Sequence, residues 1–297
     1  MLLNVSDSNE LRTPRSKQRS RDLASLACQA LIAEAELTPK SGLVDRRGTG
    51  AHTDLSLDLM RRSARVLEPY FATMSLVSQG RFLDRSLREH LALIGREAER
   101  AMFKSTQGAN SHKGAMWTLG LLVAAAARGG RQSARKIAAD AGKISQFPDR
   151  AKPALITHGD IVRQCHGARG APGEASAGFP SVLRFGLPLL RRRRRAGFRE
   201  EVCRHDALLG IMSRLDDTCL LYRGGNEGLI ATKAGARAAL LAGGYGSSRG
   251  RMHMHRLELE LNARGISPGG SADLLAATIF LDAVERRQDH VRNDQSE

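Results

Sequence analysis

Aromatic residues make up only 4% of this 297-residue chain. Scarce aromatics beside abundant Ala and Leu favour helices over sheets, and strand-type alternation is nowhere sustained. Cysteine is sparse as well. Cys28, Cys165, Cys203 and Cys219 lie far apart without a CxxC pair, which argues against a zinc finger and for a reduced, cytosolic setting. Long apolar runs are missing. The longest weakly polar stretch, Gly114 to Ala127, falls short of the roughly 20 residues that span a bilayer. The start of the chain is briefly apolar, then polar and basic, unlike a signal peptide. No GxxxxGK[ST] spacing occurs, so there is no Walker loop. No fixed-period repeat and no interdomain linker stand out. These absences leave an all-α protein with one helical domain, cytoplasmic and without a membrane partner.

What is present is positive charge. The formal net charge is +15 at 41% hydrophobic content, a balance that attracts polyanions. Part of it sits in residues 11–21, with Arg12, Arg15, Lys17, Arg19 and Arg21, and part in the unbroken run Arg191 to Arg195. The first 20 residues are aperiodic and read as a disordered basic arm, 21–288 as the catalytic domain, and 289–297 as a polar tail. Apolar residues Leu23, Leu26, Ala27, Ala30 and Leu31 mark a helix over Asp22–Glu36. Further helices are expected over 54–77, 80–104, 113–128 and 131–146, with Asp84 and Ser86 as N-cap or first-turn residues and Gly129-Gly130 as a stop. Residues 147–194, with Pro148, Pro153, Pro172, Pro180 and Pro188, form the least regular part. Helices resume over 195–214, 226–242, 248–263 and 271–287. The arginine run reads as a solvated helix start, because no aromatic residues interleave it. Met252-His-Met-His255 is no metal box, since its histidines lie about 200° apart on a helix.

Five Gly-rich clusters carry charged residues. The first joins Glu34 to Pro39-Lys40-Ser-Gly-Leu-Val-Asp45 and Gly50-Ala-His52-Thr-Asp54. Lys40 can neutralise phosphate, and Asp45, His52 and Asp54 can bind a metal or move a proton. A plain helix–loop–helix turn accounts for the same residues. The second runs from Glu97 and Glu99 to Gly108, Asn110, His112, Lys113 and Gly114. A loop entering a helix beside a lysine makes an anion cradle, and ordinary turn chemistry accounts for the same residues. The third, Gly167 to Glu174 with Gly178-Phe-Pro180, offers Glu174 as a base, metal ligand or solvated loop acid. The fourth is Asp216-Asp217-Thr218 with Arg223-Gly-Gly225, which suits hydrated Mg²⁺ facing phosphate or a surface salt bridge. The fifth is Ser267-Pro-Gly269-Gly270-Ser-Ala-Asp273. There Ser271 reads as an N-cap and Asp273 as a first-turn acid, which leaves Pro-Gly-Gly unexplained.

Taken in order, these clusters resemble the triphosphoribosyl-dephospho-CoA synthase family. The likeness rests on Glu34, Pro39-Lys40, Gly42-Leu-Val-Asp45, Gly50, His52 and Asp54, then Ala98-Glu99, Thr106, Gly108, Asn110 and His112-Lys-Gly114. It continues through Gly173-Glu174, Gly178-Phe-Pro180, Asp217-Thr218, Arg223-Gly-Gly225 and Ser267 to Ala276, covering about residues 25–280. Ser41 stands where the pattern has a second proline, Ser111 where it has Thr, and Pro172 where many members have Arg. The resemblance implies an all-α enzyme, a pentosyltransferase. The 2′-hydroxyl of 3′-dephospho-CoA attacks C1 of the ATP ribose, and adenine leaves. The product is the precursor of the prosthetic group of an acyl carrier protein subunit, in a malonate decarboxylase or citrate lyase system, with the former favoured. A downstream phosphoribosyl-dephospho-CoA transferase is the implied next partner.

On this reading Glu34, Glu99 and Glu174 are the catalytic carboxylates. Lys40, His52, Asn110, His112, Lys113, Arg223, Gly269 and Gly270 contact substrate. Asp54, Asp217 and Asp273 stand on the side of a Mg²⁺ that accompanies ATP. Two other readings compete. A basic helical nucleic-acid-binding protein leaves the acids and glycines of the clusters unexplained. A kinase or hydrolase would release ADP or phosphate rather than adenine.

Overall fold

Thr13 caps the first helix: its hydroxyl accepts from the Ser16 N–H at 3.1 Å, and Pro14 takes the first helical position, where its missing N–H has no helical partner in any case. The structure, a computed structural model, describes residues 13–152 and 157–293, with side chains described as far as Asp289. Helix α1 covers Pro14–Ala35, so the expected basic arm is already helical from Pro14. Its remaining residues, 1–12, lie outside the described residues, as do Pro153 and 294–297 of the polar tail. Polar contacts hold the early start of α1. Buried Ser20 accepts from Ser75 Oγ (3.1 Å) and Gln79 Nε2 (2.8 Å), and Gln79 also donates to Ser16 O. A search for apolar periodicity passes over a serine that faces the core.

Helices α2 (Leu57–Ser78), α3 (Arg85–Ser105), α4 (Lys113–Ala127) and α5 (Ala134–Gln146) follow within a few residues of expectation. Asp84 caps α3 through the Leu87 N–H at 2.7 Å, and Gly129 and Gly130 both take positive φ past α4. Helix α4 is apolar on every side. From Ala115 to Ala127 all of it is buried except half-buried Trp117. It is the central helix, packed by α1, α2, α3, α5 and α12 (Gly269–Asn293), as an all-round hydrophobic pattern requires.

The segment expected to be irregular contains α6 (His158–His166), α7 (Gly170–Ser176), a π-helical turn (Val182–Gly186) and α8 (Leu187–Arg195). Its prolines misled because Pro172 and Pro188 sit in first helical turns, where proline is tolerated. Thr157 and Asp160 form a reciprocal capping box that starts α6, and Gly167 ends it in the left-handed conformation.

The arginine run closes α8 instead of opening a helix. Arg191 and Arg194 reach Asp282 (3.2 and 2.8 Å), Arg194 also pairs with Glu200 (2.9 Å), and Arg193 pairs with Asp206. Asp206 and Asp282 are 0% and 3% exposed, so the run neutralises interior acids. Helices α9 (Glu200–Met212), α10 (Thr218–Leu241) and α11 (Ser248–Arg264) complete the bundle. Helix α10 begins eight residues before the expected 226 and is interrupted at Gly225, whose φ of 58° and ψ of −162° only glycine adopts readily.

A candidate active site where three helices begin

The N-termini of α4, α10 and α12 meet, and two carboxylates join them. Asp217 caps α10 through the Cys219 N–H (2.9 Å). It also accepts from the Gly270 N–H (3.2 Å), the Ser271 N–H (2.7 Å) and Ser271 Oγ (2.9 Å) at the start of α12. Asp217 is 1% exposed. Burial pushes its carboxyl above the ordinary range, while the hydrogen bonds from Ser271, Cys219 and Gly270 pull the other way. With both oxygens doubly engaged, Asp217 is a clamp between two helices and has no lone pair left for the metal role expected of it. Ser271 is likewise not an N-cap, because α12 already begins at Gly269 and Ser271 donates to Asp217. The second glycine of the unexplained Pro-Gly-Gly now has its reason. A Cβ on Gly270 would stand 2.9 Å from Asp217 Oδ1.

Asp273, on the first turns of α12, faces the start of α4. A Cβ on Gly114 would fall 2.1 Å from Asp273 Oδ2, so only glycine admits this carboxyl. Burial raises the Asp273 carboxyl well above the usual carboxylate range. The nearby charges of Glu34 and Asp217 add to the shift, and the Ala115 N–H opposes it.

Glu34 ends α1 at 3% exposure and binds Lys40, which is 2% exposed, with Nζ 2.6 Å from Oε1 and 2.8 Å from the Glu34 carbonyl. Lys40 was expected on phosphate. The structure instead engages it inside the protein as the partner of Glu34. The loop that carries it is closed by Asp45, which accepts from the Lys40 N–H (2.9 Å) and the Arg47 N–H (2.7 Å). Burial works against that charge, but Arg47 and the two backbone donors outweigh it and hold the carboxyl below its ordinary value. The Pro39 carbonyl of the same loop accepts from His205 Nε2 at 2.8 Å.

Two histidines flank the acids. His52 Nε2 is 2.9 Å from Ser267 Oγ, and its Nδ1 is buried without a hydrogen-bond partner, 3.8 Å from Asp54. Burial and then the Arg223 charge lower its basicity. His112, 2% exposed, bonds Ser63 Oγ through Nδ1 at 2.9 Å, and its Nε2 is buried and unpartnered. Burial, aided by the Lys40 charge, pushes it down to about 3. Both rings are neutral at physiological pH.

Cations lie at the rim. Lys113, the first residue of α4, pairs with Glu99 at 2.5 Å and stays partly exposed. Exposed Arg223 makes no hydrogen bond or ion pair among the described residues, yet its charge reaches His52. Asn110 accepts from the Lys113 N–H at 3.4 Å, so its amide serves the entry of α4. Glu174 is taken up elsewhere, accepting from the Ser181 N–H (2.6 Å) and Oγ (3.1 Å). Burial raises its carboxyl, while the two hydrogen bonds from Ser181 pull the other way. The structure thus gathers Glu34, Lys40, His52, His112, Lys113, Asp217, Arg223, Gly269, Gly270 and Asp273, with Glu99 and Asp54 at the edge. Of the two residues that tether the histidines, sequence reading passed over Ser63 and gave Ser267, named in the fifth cluster, no role of its own. Ser63 left one trace, a small polar residue within the apolar stripe Met60, Ala64, Leu67 and Phe71 of α2.

Among the described residues no group of three or more His, Cys, Asp or Glu is arranged to hold a metal, and no helix is long and apolar enough to cross a membrane. A family model described as ATP:dephospho-CoA triphosphoribosyl transferase matches residues 20–292. The chain is 50% identical to a Pseudomonas fluorescens protein named "Probable 2-(5''-triphosphoribosyl)-3'-dephosphocoenzyme-A synthase", over 92% of this chain and 95% of the relative. Proteins of the same name from Azotobacter vinelandii and Pseudomonas aeruginosa are 51% and 52% identical, over 92% and 88% of this chain and 94% and 90% of theirs. No solved structure matches.

Proposed function

The chain belongs to the ATP:dephospho-CoA triphosphoribosyl transferase family, and from that premise we propose how its site carries out the transfer. The enzyme is a pentosyltransferase that forms 2'-(5''-triphosphoribosyl)-3'-dephospho-CoA and adenine from ATP and 3′-dephospho-CoA. The bond from the ATP ribose C1 to adenine breaks, and a bond from C1 to the 2′-oxygen of dephospho-CoA forms. Such a displacement passes through a cationic sugar, which a pair of carboxyl groups serves well: one protonated, one ionised.

Asp273 is the observation that carries this reading. Burial, and then the charges of Glu34 and Asp217, raise its carboxyl well above the usual carboxylate range, which suits it to hand a proton to the departing adenine. Glu34, paired with Lys40, takes the proton of the incoming hydroxyl and offsets the charge of the ring. The proton then returns from Glu34 to Asp273, which leaves the pair as it began. Lys113 and Arg223, with the helix N-termini behind them, hold the phosphates. Glu99 releases Lys113 to the triphosphate. His52 and His112 contact sugar or base through their unpartnered nitrogens.

Mg²⁺ fits this set as a companion of the triphosphate rather than as the occupant of a protein cage. Asp54 and Glu99 would steady it at the rim, and it would screen the phosphate charge. Asp217, fully hydrogen-bonded, would not. The product serves as prosthetic-group precursor for a carrier subunit, of malonate decarboxylase in preference to citrate lyase, through a downstream transferase in the cytoplasm. The family resemblance supports the role of prosthetic-group precursor.

Incubation with ATP, dephospho-CoA and Mg²⁺, followed by mass spectrometry, tests the reaction. Adenine should form in step with a coenzyme product heavier by a triphosphoribosyl unit. ADP matching substrate consumption, with no free adenine, would overturn the proposal in favour of a kinase or hydrolase.

A further inference from the structure

His112 poses a question that its cluster does not answer. Its ring is 2% exposed, one nitrogen is satisfied and the other has no partner. An unpaired buried polar atom costs about 1–3 kcal/mol, so a ligand group is its natural complement. The partner of Nδ1 is Ser63 Oγ, 0% exposed on α2, and Ser63 Oγ in turn receives the hydroxyl of Ser111 at 2.7 Å. With Ser111 donating to Ser63, the Ser63 proton is left for Nδ1, and the ring carries its own proton on Nε2. His52 repeats the plan in mirror form, with Ser267 on Nε2 and Nδ1 unpartnered.

We propose that Ser63 is a positioning residue that fixes His112 as the Nε2–H tautomer, so that a neutral imidazole N–H is presented to an acceptor atom of the bound nucleotide. Resting on the transferase reading, the inference goes further by assigning a role to a residue outside the five clusters. Neutrality suits it. Burial beside Lys40 keeps the ring from charging, and a neutral donor can hold a ribose oxygen or a base nitrogen without opposing the cationic sugar.

The test has two arms. ¹⁵N NMR of the ligand-free wild-type protein should show His112 protonated on Nε2 alone, and Ser63→Ala should move it to a mixture of tautomers. This readout does not depend on the reaction, so it stands even if adenine release fails. In steady-state kinetics Ser63→Ala should lower kcat/KM about tenfold, the worth of one oriented hydrogen bond. Ser63→Thr, which keeps the hydroxyl, should restore most of it. Ser63→Ala should add nothing to the loss already caused by His112→Gln, because the two act through one contact. Losses that simply add would assign Ser63 to packing. A wild-type His112 protonated on Nδ1 would overturn the proposal even if Ser63→Ala fails to fold.

Discussion

Two lysines in neighbouring clusters look interchangeable in the sequence, yet their surroundings give them different work. Lys40 is buried against Glu34, whereas Lys113 is 40% exposed at the side chain and shares its charge with Glu99 at the rim. Lys113→Ala should raise KM for ATP about tenfold, through loss of one charge-assisted contact, and leave thermal unfolding unchanged. Lys40→Met should cost about 3–5 kcal/mol in denaturant unfolding, because it strands the Glu34 charge in the interior. Equal stability of the two variants would remove the distinction. Asp273 permits a cleaner separation of chemistry from structure. Asp273→Asn mimics the protonated carboxyl and can still accept from the Ala115 N–H. We expect kcat to fall at least about 100-fold, as for loss of a proton-transfer group, with a melting temperature at pH 8 equal to or above wild type. A lowered melting temperature with kcat retained would make Asp273 structural. In the sequence Asp273 reads only as a first-turn acid. What distinguishes it, proximity to Glu34 and to the glycine at position 114, joins residues far apart along the chain.

Between helices, one side chain substitutes for two caps. Asp217 satisfies the first N–H groups of α10 and of α12 together. A helix cap contributes about 1–2 kcal/mol, so Asp217→Ala should lower unfolding free energy by about 2–4 kcal/mol and uncouple the start of α12 from α10. Urea titration gives the first quantity, and hydrogen exchange at Gly270 and Ser271 reports the second. A loss confined to catalysis, with both amides still protected, would return Asp217 to the list of metal-side groups. Helix positions were largely legible, since apolar spacing marks α2 to α5 and α11. The region from α6 to α8 was not, because prolines in first turns resemble breakers unless the caps around them are seen. The start of α1 escaped for a related reason: Ser20 is held in the core by hydrogen bonds, which carry no hydrophobic signal.

For the molecule as a whole, the buried ionisable groups set how stability varies with pH, and the two main contributions have opposite sign. His112 titrates near 3 when folded and near 6.5 when unfolded, so its contribution is complete above pH 6.5 and is lost as pH falls from there toward 3. At pH 5 the loss amounts to about 2 kcal/mol, from 1.5 units at 1.36 kcal/mol each. His52, also depressed, acts in the same direction. Asp273 is raised, so its contribution is complete below about pH 4 and is lost as pH rises through its folded value. Stability should therefore decline on both sides of a maximum. His112→Gln should flatten the acid side, and Asp273→Asn the alkaline side, in melting temperatures measured from pH 4 to 9. An acid limb unchanged by His112→Gln would show that other groups govern it.

The sequence by itself determined the helical class, most helix positions, and the set of clusters from which the site is built, because apolar period, glycine and proline placement and local charge are properties of short stretches. It also carried the family, through motifs kept in order from Glu34 to Ala276. Only the tertiary structure decided which charges are free to act. Lys40, Asp217, Glu174 and three of the five arginines of the run are engaged by partners distant in the chain or hidden in the fold. Arg223 and two histidine nitrogens, His52 Nδ1 and His112 Nε2, are left without a hydrogen bond among the described residues. The physical reason is that a side chain's protonation and availability depend on burial and on neighbours within a few ångströms, and those neighbours are chosen by packing.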